Sequence, residues 1–542
     1  MIAAHSLASC VRSLAKSRPR DVAYYAGDRT LDWAGYDAAA DRLARVLLAL
    51  NIPAGERVAV WLPDGAAVHI ALQACERAGL VALGLGARSG ERELAHLLGL
   101  AEARVLISTT QVGGQDAVAR VARLRDQGTP LRHHVIVDGE AFENEAIQVD
   151  GAPARMAEGS ALQGRGLEPD QVFLFNSTSG TTGLPKIVVH DQMRWIEFHR
   201  LAADVGHLSS SDVIMSAVPA PFGFGIWTSH VTPTLLGVPT VVMPRFDAAE
   251  AIRLLARHRV TMLAAVSTQF IMMLETNAFD DKLDLALRCL FTGGEAVPEQ
   301  RARRFERETG AVVLQFYGSN ETGAVSATRP EDPPEKRLGT AGRPLPVMNL
   351  RLFDAQGKDV TETGRGQPAV KGPVLSRGYH GAPEANAELI REDGWVLLGD
   401  LVEIDAEGYL RVVGRTDDII IRGGKNLSAV AIEEVVASHP AIALAAAVGI
   451  PDAILGEKAA AYVELREGTA LSLEDLTAHL KATRVARELW PEALVVLDAL
   501  PQSAGGKVAK GTLREDAATR FALGDATDLE AHSRAGRRTE PG

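Results

Sequence analysis

Over its first half the chain alternates short apolar runs with stretches whose apolar residues recur at helical spacing, and this alternation restricts its fold more than any other feature. Tyr36 to Leu50 (YDAAADRLARVLLAL) has the period of an amphipathic helix. VAVWL (58–62) reads as a short buried strand after the turn signal PAGE, and HIALQACERAGLVAL returns to helix and then strand. TMLAAVSTQF (261–270) and LRCLFTGG (287–294) repeat a strand-then-turn pattern. Helices inserted between strands carry the chain back to start the next strand in the same direction. The expected fold class is therefore α/β with substantial parallel sheet.

At 542 residues the chain exceeds what one hydrophobic core supports, so two or more domains are expected. The turn-rich GRTDD (414–418) marks the boundary. It leaves a large domain, 1–415, and a small α+β domain, 416–520. The small domain reads as a short strand pair, a helix from Ala431, a strand near Ala445 and a helix from Leu473. Residues 521–542 mix Gly, Asp, Arg and Pro without periodicity and are expected to form a disordered tail.

Composition narrows the function classes. A formal charge of −12 argues against a nucleic-acid footprint, which needs a basic face. Cys10, Cys75 and Cys289 are far apart with no CxxC pair, which excludes a disulfide framework and gives a zinc site no support. The opening MIAAHSLASCVRSLAKSRPR has no long apolar core followed by a small-residue cleavage site, so no signal peptide is read there. The longest apolar stretch, AIALAAAVGI (441–450), is shorter than the roughly 20 residues a membrane span needs. A cytoplasmic protein is expected, as a monomer or homodimer.

The segment Thr178-Ser179-Gly180-Thr181-Thr182-Gly183-Leu184-Pro185-Lys186 carries the strongest chemical signal. Backbone N–H groups, hydroxyls and a lysine in one glycine-containing loop can surround phosphate oxygens. It is not a Walker loop, because Ile187-Val188-Val189 after the lysine favours a strand rather than a helix. A polar hairpin turn is the plain alternative.

This segment resembles the phosphate loop of the adenylate-forming superfamily, which comprises acyl- and aryl-CoA synthetases, adenylation domains and firefly-type luciferases. Further segments follow in the order the resemblance requires. Tyr317-Gly318-Ser319-Asn320-Glu321 is similar to Tyr-Gly-x-Thr-Glu, in which the tyrosine stacks on adenine and the glutamate helps hold Mg²⁺. Asn320 stands where the threonine would meet the phosphate. Gly394-Trp395-Val396-Leu397-Leu398-Gly399-Asp400 is similar to the segment whose aspartate accepts both ribose hydroxyls, with Leu398 replacing the usual hydroxyl residue. Gly414-Arg415-Thr416-Asp417-Asp418, running on to Gly423-Gly424, resembles the interdomain hinge and the loop after it. There the resemblance implies that Arg415 contacts AMP, that Asp417 is the pivot of a mobile small domain, and that Gly423 and Gly424 line a thiol tunnel. Ala429 and Ala431 replace the family's Pro and Glu, and no role is carried to them. Pro501-Gln502-Ser503-Ala504-Gly505-Gly506-Lys507 resembles the segment whose lysine enters the active site for the first half-reaction. Gly293-Gly294-Glu295 is similar to the strand end beside the adenine and acyl pockets. Val266-Ser267-Thr268-Gln269-Phe270 is similar to a stretch lining the acid pocket. GYHGAPE (378–384) stands at its expected position.

The resemblance implies an acid–thiol ligase with ATP, Mg²⁺ and coenzyme A as its small-molecule partners. Lys186, Glu321 and Lys507 are the expected catalytic residues, with Glu321 and Thr182 at the metal. Thr178, Ser179, Gly180, Thr181, Thr182, Gly183, Gly294, Glu295, Tyr317, Gly318, Asn320, Asp400 and Arg415 are expected at the nucleotide. The acid pocket is expected from Phe222, Phe224, Trp227, Gln269, Phe270 and Gly293. Residues 219–227 contain no carboxylate to hold an α-ammonium, and burying one there would be costly. An aryl or cyclic acid is therefore expected rather than an amino acid. Two alternatives stand beside this reading: loading of a carrier-protein pantetheine, and a non-catalytic nucleotide-binding relic.

Overall fold

A computed structural model of the chain describes residues 6–137, 147–178, 184–276, 278–279, 283–294, 297–415, 418–422, 425–452, 454–502 and 507–521. Ser179, Gly180, Thr181, Thr182, Gly183, Glu295, Asp417, Gly423 and Gly424, and the tail from 522, lie outside the described residues.

The chain forms two compact units, Met1–Leu350 with Ala369–Leu398, and Arg351–Pro368 with Gly399–Gly542. This division is not the one expected at 415/416. The strand Asp400–Ile404 pairs with Leu410–Arg415 and also, through Glu403 and Val402, with Arg365 and Gly366, so that hairpin belongs to the second unit.

Among the described residues, the first unit contains two large sheets. The nine-stranded one runs, edge to edge, Arg343–Pro344, Gly323–Ala327, Val312–Ser319, Cys289–Gly293, Met262–Ala264, Ile214–Ser216, Thr240–Val242, Val22–Ala26 and Arg29–Asp32. Its central neighbours are parallel and its outer pairs antiparallel. The eight-stranded one has a parallel centre of His133–Ile136, Val105–Ser108, Arg57–Trp61, Val81–Leu85 and Val172–Ser177. It ends on the antiparallel strand Ile187–Asp191. The α/β expectation holds.

Local sequence sets the boundaries. Asp32 starts the helix Trp33–Ala49 by accepting the Gly35 N–H at 2.7 Å, and Trp33, Tyr36, Ala40, Leu43 and Leu47 supply its buried stripe. The helix Ala66–Ala78 is buried along its whole length. Its charges are matched inside: Glu76 accepts the Ala8 N–H, and Arg77 pairs with Asp37 at 2.7 Å. At 261–270 the expected strand-then-turn is a strand, Met262–Ala264, followed by a helix, Ser267–Glu275. The Gln269 amide starts that helix by accepting the Val266 N–H at 3.0 Å, while donating to the Ala217 carbonyl at 2.6 Å.

The second unit builds an antiparallel sheet from Lys425–Ser428, Ile419–Arg422, Gly456–Leu465 and Ile442–Asp452, and Ala493–Leu497 adds in parallel. The helix expected from Ala431 begins at Ala429, because Ser428 caps it through the Ala431 N–H at 3.2 Å. Ile432, Val436, Ala447, Ala461, Val463, Leu476 and Leu480 meet in its core.

Candidate active site

In the first unit, Thr178 and Lys186 close the base of the hydroxyl-rich loop. The Thr178 N–H donates to the Lys186 carbonyl at 3.0 Å, and the Lys186 N–H donates to Thr178 Oγ1 at 3.2 Å. The flanking strands Val172–Ser177 and Ile187–Asp191 pair antiparallel. Lys186 is exposed at its end.

Residues 376–380 lie along the outer edge of Ile187–Asp191. The N–H groups of Arg377 and His380 donate to the carbonyls of Val189 and Ile187, and the Val189 N–H donates to the Gly378 carbonyl. This pairing places Tyr379 beside Lys186, whose Nζ stands 5.1 Å from the ring centre. The Tyr379 hydroxyl donates to Glu321 Oε1 at 2.8 Å. Glu321 sits in the turn after Val312–Ser319, fixed by reciprocal bonds between Ser319 and Thr322: the Ser319 N–H donates to Thr322 Oγ1, and the Thr322 N–H to Ser319 Oγ. Lys186 and Glu321, expected from the sequence, are thus joined by Tyr379, which the sequence reading did not single out.

Asn320 does not stand alone either. Its Nδ2 donates to Asn176 Oδ1 at 2.7 Å, and the same oxygen lies 2.7 Å from His190 Nε2. Arg194 closes the circuit from its Nη1, 2.5 Å from His190 Nδ1 and 3.0 Å from the Asn320 carbonyl oxygen. Burial, with the Arg194 charge added, pushes the His190 pKa well below its usual value. A neutral ring accepting from Arg194 at Nδ1 must carry its proton on Nε2, where it donates to Asn176. The strand before the 178–186 loop is thereby tied to the segment carrying Glu321. Asn176, His190 and Arg194 gave no motif signal; the i, i+4 spacing of His190 and Arg194 across a helix start was the available clue.

Tyr317 is buried and Gly318 half-buried on the same strand. A side chain at Gly318 would collide with the Gly323 carbonyl, and one at Gly293 with the Phe316 carbonyl, so neither position admits another residue. Gly293 is buried at its strand end and Gly294 exposed beyond it.

The residues expected at the acid pocket divide. Phe222 and Phe224 are half-buried on the short helical turn Gly223–Ile226 and its approach. Trp227 is 1% exposed, stacked on Phe198 at 4.3 Å and facing Phe291 and Phe316, which makes it the layer behind Phe224. Phe270 is fully buried, edge-on to Phe305, and is core rather than pocket wall. The Gln269 amide is engaged by the backbone, as described above. Asp64 meets the same stretch: its carboxylate accepts the Ala220 N–H at 3.3 Å, and burial lifts its pKa to about 7 despite backbone hydrogen bonds from Ala220 and Gly65.

In the second unit, Asp400 and Arg415 are register partners on adjacent strands, with Arg415 Nε 3.8 Å from Asp400 Oδ1. Lys507 is half-buried just before the helix Lys510–Arg520.

Comparison with known proteins agrees in kind. Residues 11–380 match the AMP-binding enzyme family, and residues 431–507 match the AMP-binding enzyme C-terminal domain. The chain is 30% identical to a medium-chain fatty-acid–CoA ligase of Escherichia coli (strain K12), over 97% of this chain and 93% of that protein. It is 33% identical to a salicyl-AMP ligase / salicyl-S-ArCP synthetase of Mycobacterium tuberculosis, over 90% of this chain and 86% of that protein. Among solved structures it is similar to an o-succinylbenzoate CoA synthetase of Bacillus subtilis in complex with its acyl-adenylate intermediate. That match has 27% identity and a TM-score of 0.78, and covers 93% of this chain and 97% of that one.

Proposed function

The chain belongs to the AMP-binding enzyme family, and on that premise we propose that it is an acid–thiol ligase for an apolar carboxylic acid, aryl or cyclic, with coenzyme A as acceptor. The observation that carries the reading is the array of Lys186, Tyr379 and Glu321 at the mouth of the 178–186 loop.

A carboxylate is a poor electrophile, because its leaving group would be oxide. Attack of a carboxylate oxygen on the α-phosphorus of ATP expels pyrophosphate and gives a mixed anhydride, whose leaving group is AMP. The protein must hold two anions together and offset their repulsion. Lys186 and the loop amides serve the phosphates, and Lys507 bridges carboxylate and α-phosphate oxygens. No general base is needed, because the acid is already ionised. A partly exposed carboxylate beside a phosphate loop suits Mg²⁺, which keeps waters and shares phosphate oxygens, so Glu321 with Thr182 would hold it. Bound there, the ion supplies charge neutralisation on the triphosphate. Asp400 accepts the ribose hydroxyls and Arg415 meets the AMP phosphate. Reorientation about Asp417 then exchanges Lys507 for the Gly423–Gly424 loop, and the thiolate attacks the acyl carbon and releases AMP.

Two features support an acid without an ammonium group. Residues 219–227 hold no carboxylate, and the nearby Asp64 is turned onto backbone N–H groups. Phe222 and Phe224 offer partly exposed apolar faces. The similarity to a salicyl-S-ArCP synthetase favours a second reading, in which the acceptor is a carrier-protein pantetheine.

ATP–pyrophosphate exchange with benzoate, salicylate, cyclohexanecarboxylate, octanoate and phenylalanine tests the first half. Exchange with one of the first three, and none with phenylalanine, is expected. Acid-dependent AMP release on adding CoA tests the second half. Exchange without CoA-dependent release, but with loading of a pantetheinylated carrier, transfers the assignment to the carrier reading. Exchange with no acid overturns both.

A further inference from the structure

Within the second unit, four charged side chains meet where the lysine loop ends. Lys510 Nζ stands 2.7 Å from Glu433 Oε1 and 3.6 Å from Asp418 Oδ2. Arg514, one turn further along the helix Lys510–Arg520, donates to Asp418 Oδ1. Glu433 Oε1 also accepts the Ala447 N–H at 2.8 Å. Lys510, Glu433 and Asp418 are each under 20% exposed. Two cations and two anions cancel, which is the condition under which such a cluster can be buried.

The cluster joins three elements. Asp418 immediately precedes the strand Ile419–Arg422, Glu433 lies on the helix Ala429–Ala437, and Lys510 opens the C-terminal helix. That helix is held further along as well: Leu513 and Ala517 are buried, and Tyr462 donates to Asp516 Oδ2 at 2.7 Å. Lys507 lies only three residues before Lys510. The base of its loop is closed by pairing of Gln502 with Val508 and by the Ala509 N–H donating to the Pro501 carbonyl at 2.7 Å. Between Lys507 and the cluster there is therefore almost no free chain.

We propose that Lys510 is a positioning residue for Lys507: with Glu433, Asp418 and Arg514 it locks the segment from Lys507 onward to the residue just before the strand Ile419–Arg422, so that Lys507 and that strand move as one piece. The proposal rests on the reading of Lys507 as the lysine of adenylation. A lock of this kind matters for the half-reaction that uses Lys507 and not for the one from which Lys507 is withdrawn. A merely structural ion cluster would affect both alike.

The experiment measures both half-reactions: ATP–pyrophosphate exchange with whichever panel acid supports it best, and thioester formation from chemically made adenylate of that acid and CoA. Lys507→Ala, Lys510→Met, Lys510→Arg and the double variant Lys510→Met/Glu433→Met are compared. The double variant replaces opposite charges by apolar side chains, which commonly preserves folding where a single removal does not. Lys510→Met, or the double variant if the single one fails to fold, should lose at least about tenfold in exchange and change thioester formation by less than about twofold. Lys510→Arg should restore exchange to within about threefold. Equal loss in both half-reactions, or full exchange without Lys510, overturns the proposal while a selective Lys507→Ala leaves the functional reading standing. If Lys507→Ala itself shows no selectivity, the reading of Lys507 falls and the proposal with it.

Discussion

The Tyr379 hydroxyl donates to Glu321 Oε1 at 2.8 Å, and its ring carries the Lys186 ammonium 5.1 Å from the centre. One side chain thus stands between the cation and the carboxylate that the proposed reaction would use at the triphosphate. Direct pairing would cancel both charges; the phenol holds them near each other and leaves both available.

Tyr379→Phe removes the donor and keeps the ring under Lys186. The loss of one hydrogen bond to a partly exposed carboxylate amounts to about 1 kcal/mol, so the KM for Mg·ATP should rise about three- to tenfold with the melting temperature unchanged. Tyr379→Leu also removes the cation–ring contact and should cost more. An unaltered Mg²⁺ and ATP dependence in Tyr379→Phe would show that the bond plays no part in turnover.

Asn320 and Asn176 behave as a matched pair, since the Asn320 amide spans to Asn176 Oδ1 at 2.7 Å. A threonine hydroxyl at 320 is too short for that reach and would leave Asn176 with His190 alone. Asn320→Thr is therefore expected to melt a few degrees lower and to exchange pyrophosphate no faster than the natural chain, although it restores the residue usual in the family. Differential scanning fluorimetry and the exchange assay decide this. A faster variant of equal stability would mean that the pair is incidental.

Asp64 gives a pH signature. Burial raises its pKa from the usual 3.8 to about 7, so between those values the folded protein holds a proton that the unfolded chain has lost. Its contribution to stability is complete below pH 4, declines as pH rises and is gone above about 7. Asp64→Asn keeps an oxygen for the Ala220 N–H and cannot ionise. The melting temperature of Asp64→Asn minus that of the natural chain should rise steadily from pH 5 to pH 8 and then level off. A difference independent of pH would place the ionised carboxylate in contact with water.

The large elements were legible because each rests on local chemistry. The 36–50 helix, the 58–62 strand and the strand after Lys186 follow from periodicity and β-branched residues, and they appear within a few residues of expectation. The helix at Ser267–Glu275 was missed because its start depends on Gln269 reaching the Ala217 carbonyl, a contact across 52 positions of sequence. At the candidate site, the expected glycines and charged residues stand in ordered segments, whereas the residues that arrange them carry no motif. Asn176 reads as an unremarkable polar residue in a strand until Asn320 is brought to it. Phe270 has the composition of a pocket wall, and only the packing of Phe305 against it shows that it is core.

Phe224 and Trp227 stack at 5.5 Å, yet burial assigns them different work, and this difference can be measured. Phe224 is half-buried, so Phe224→Ala removes apolar surface from the proposed acid pocket and little from the core. It should shift the ranking of acids in pyrophosphate exchange toward bulkier ones, with the melting temperature lowered by only a few degrees. Trp227 is enclosed by Phe198, Phe291 and Phe316, and Trp227→Ala opens a cavity among them. That change should destabilise the chain by about 3–5 kcal/mol, and the loss should appear with every acid alike. Trp227→Phe, which refills most of the space, should recover most of it. If Trp227→Ala instead folds well and changes only the acid preference, the indole lies at the pocket and Phe224 is the residue behind it.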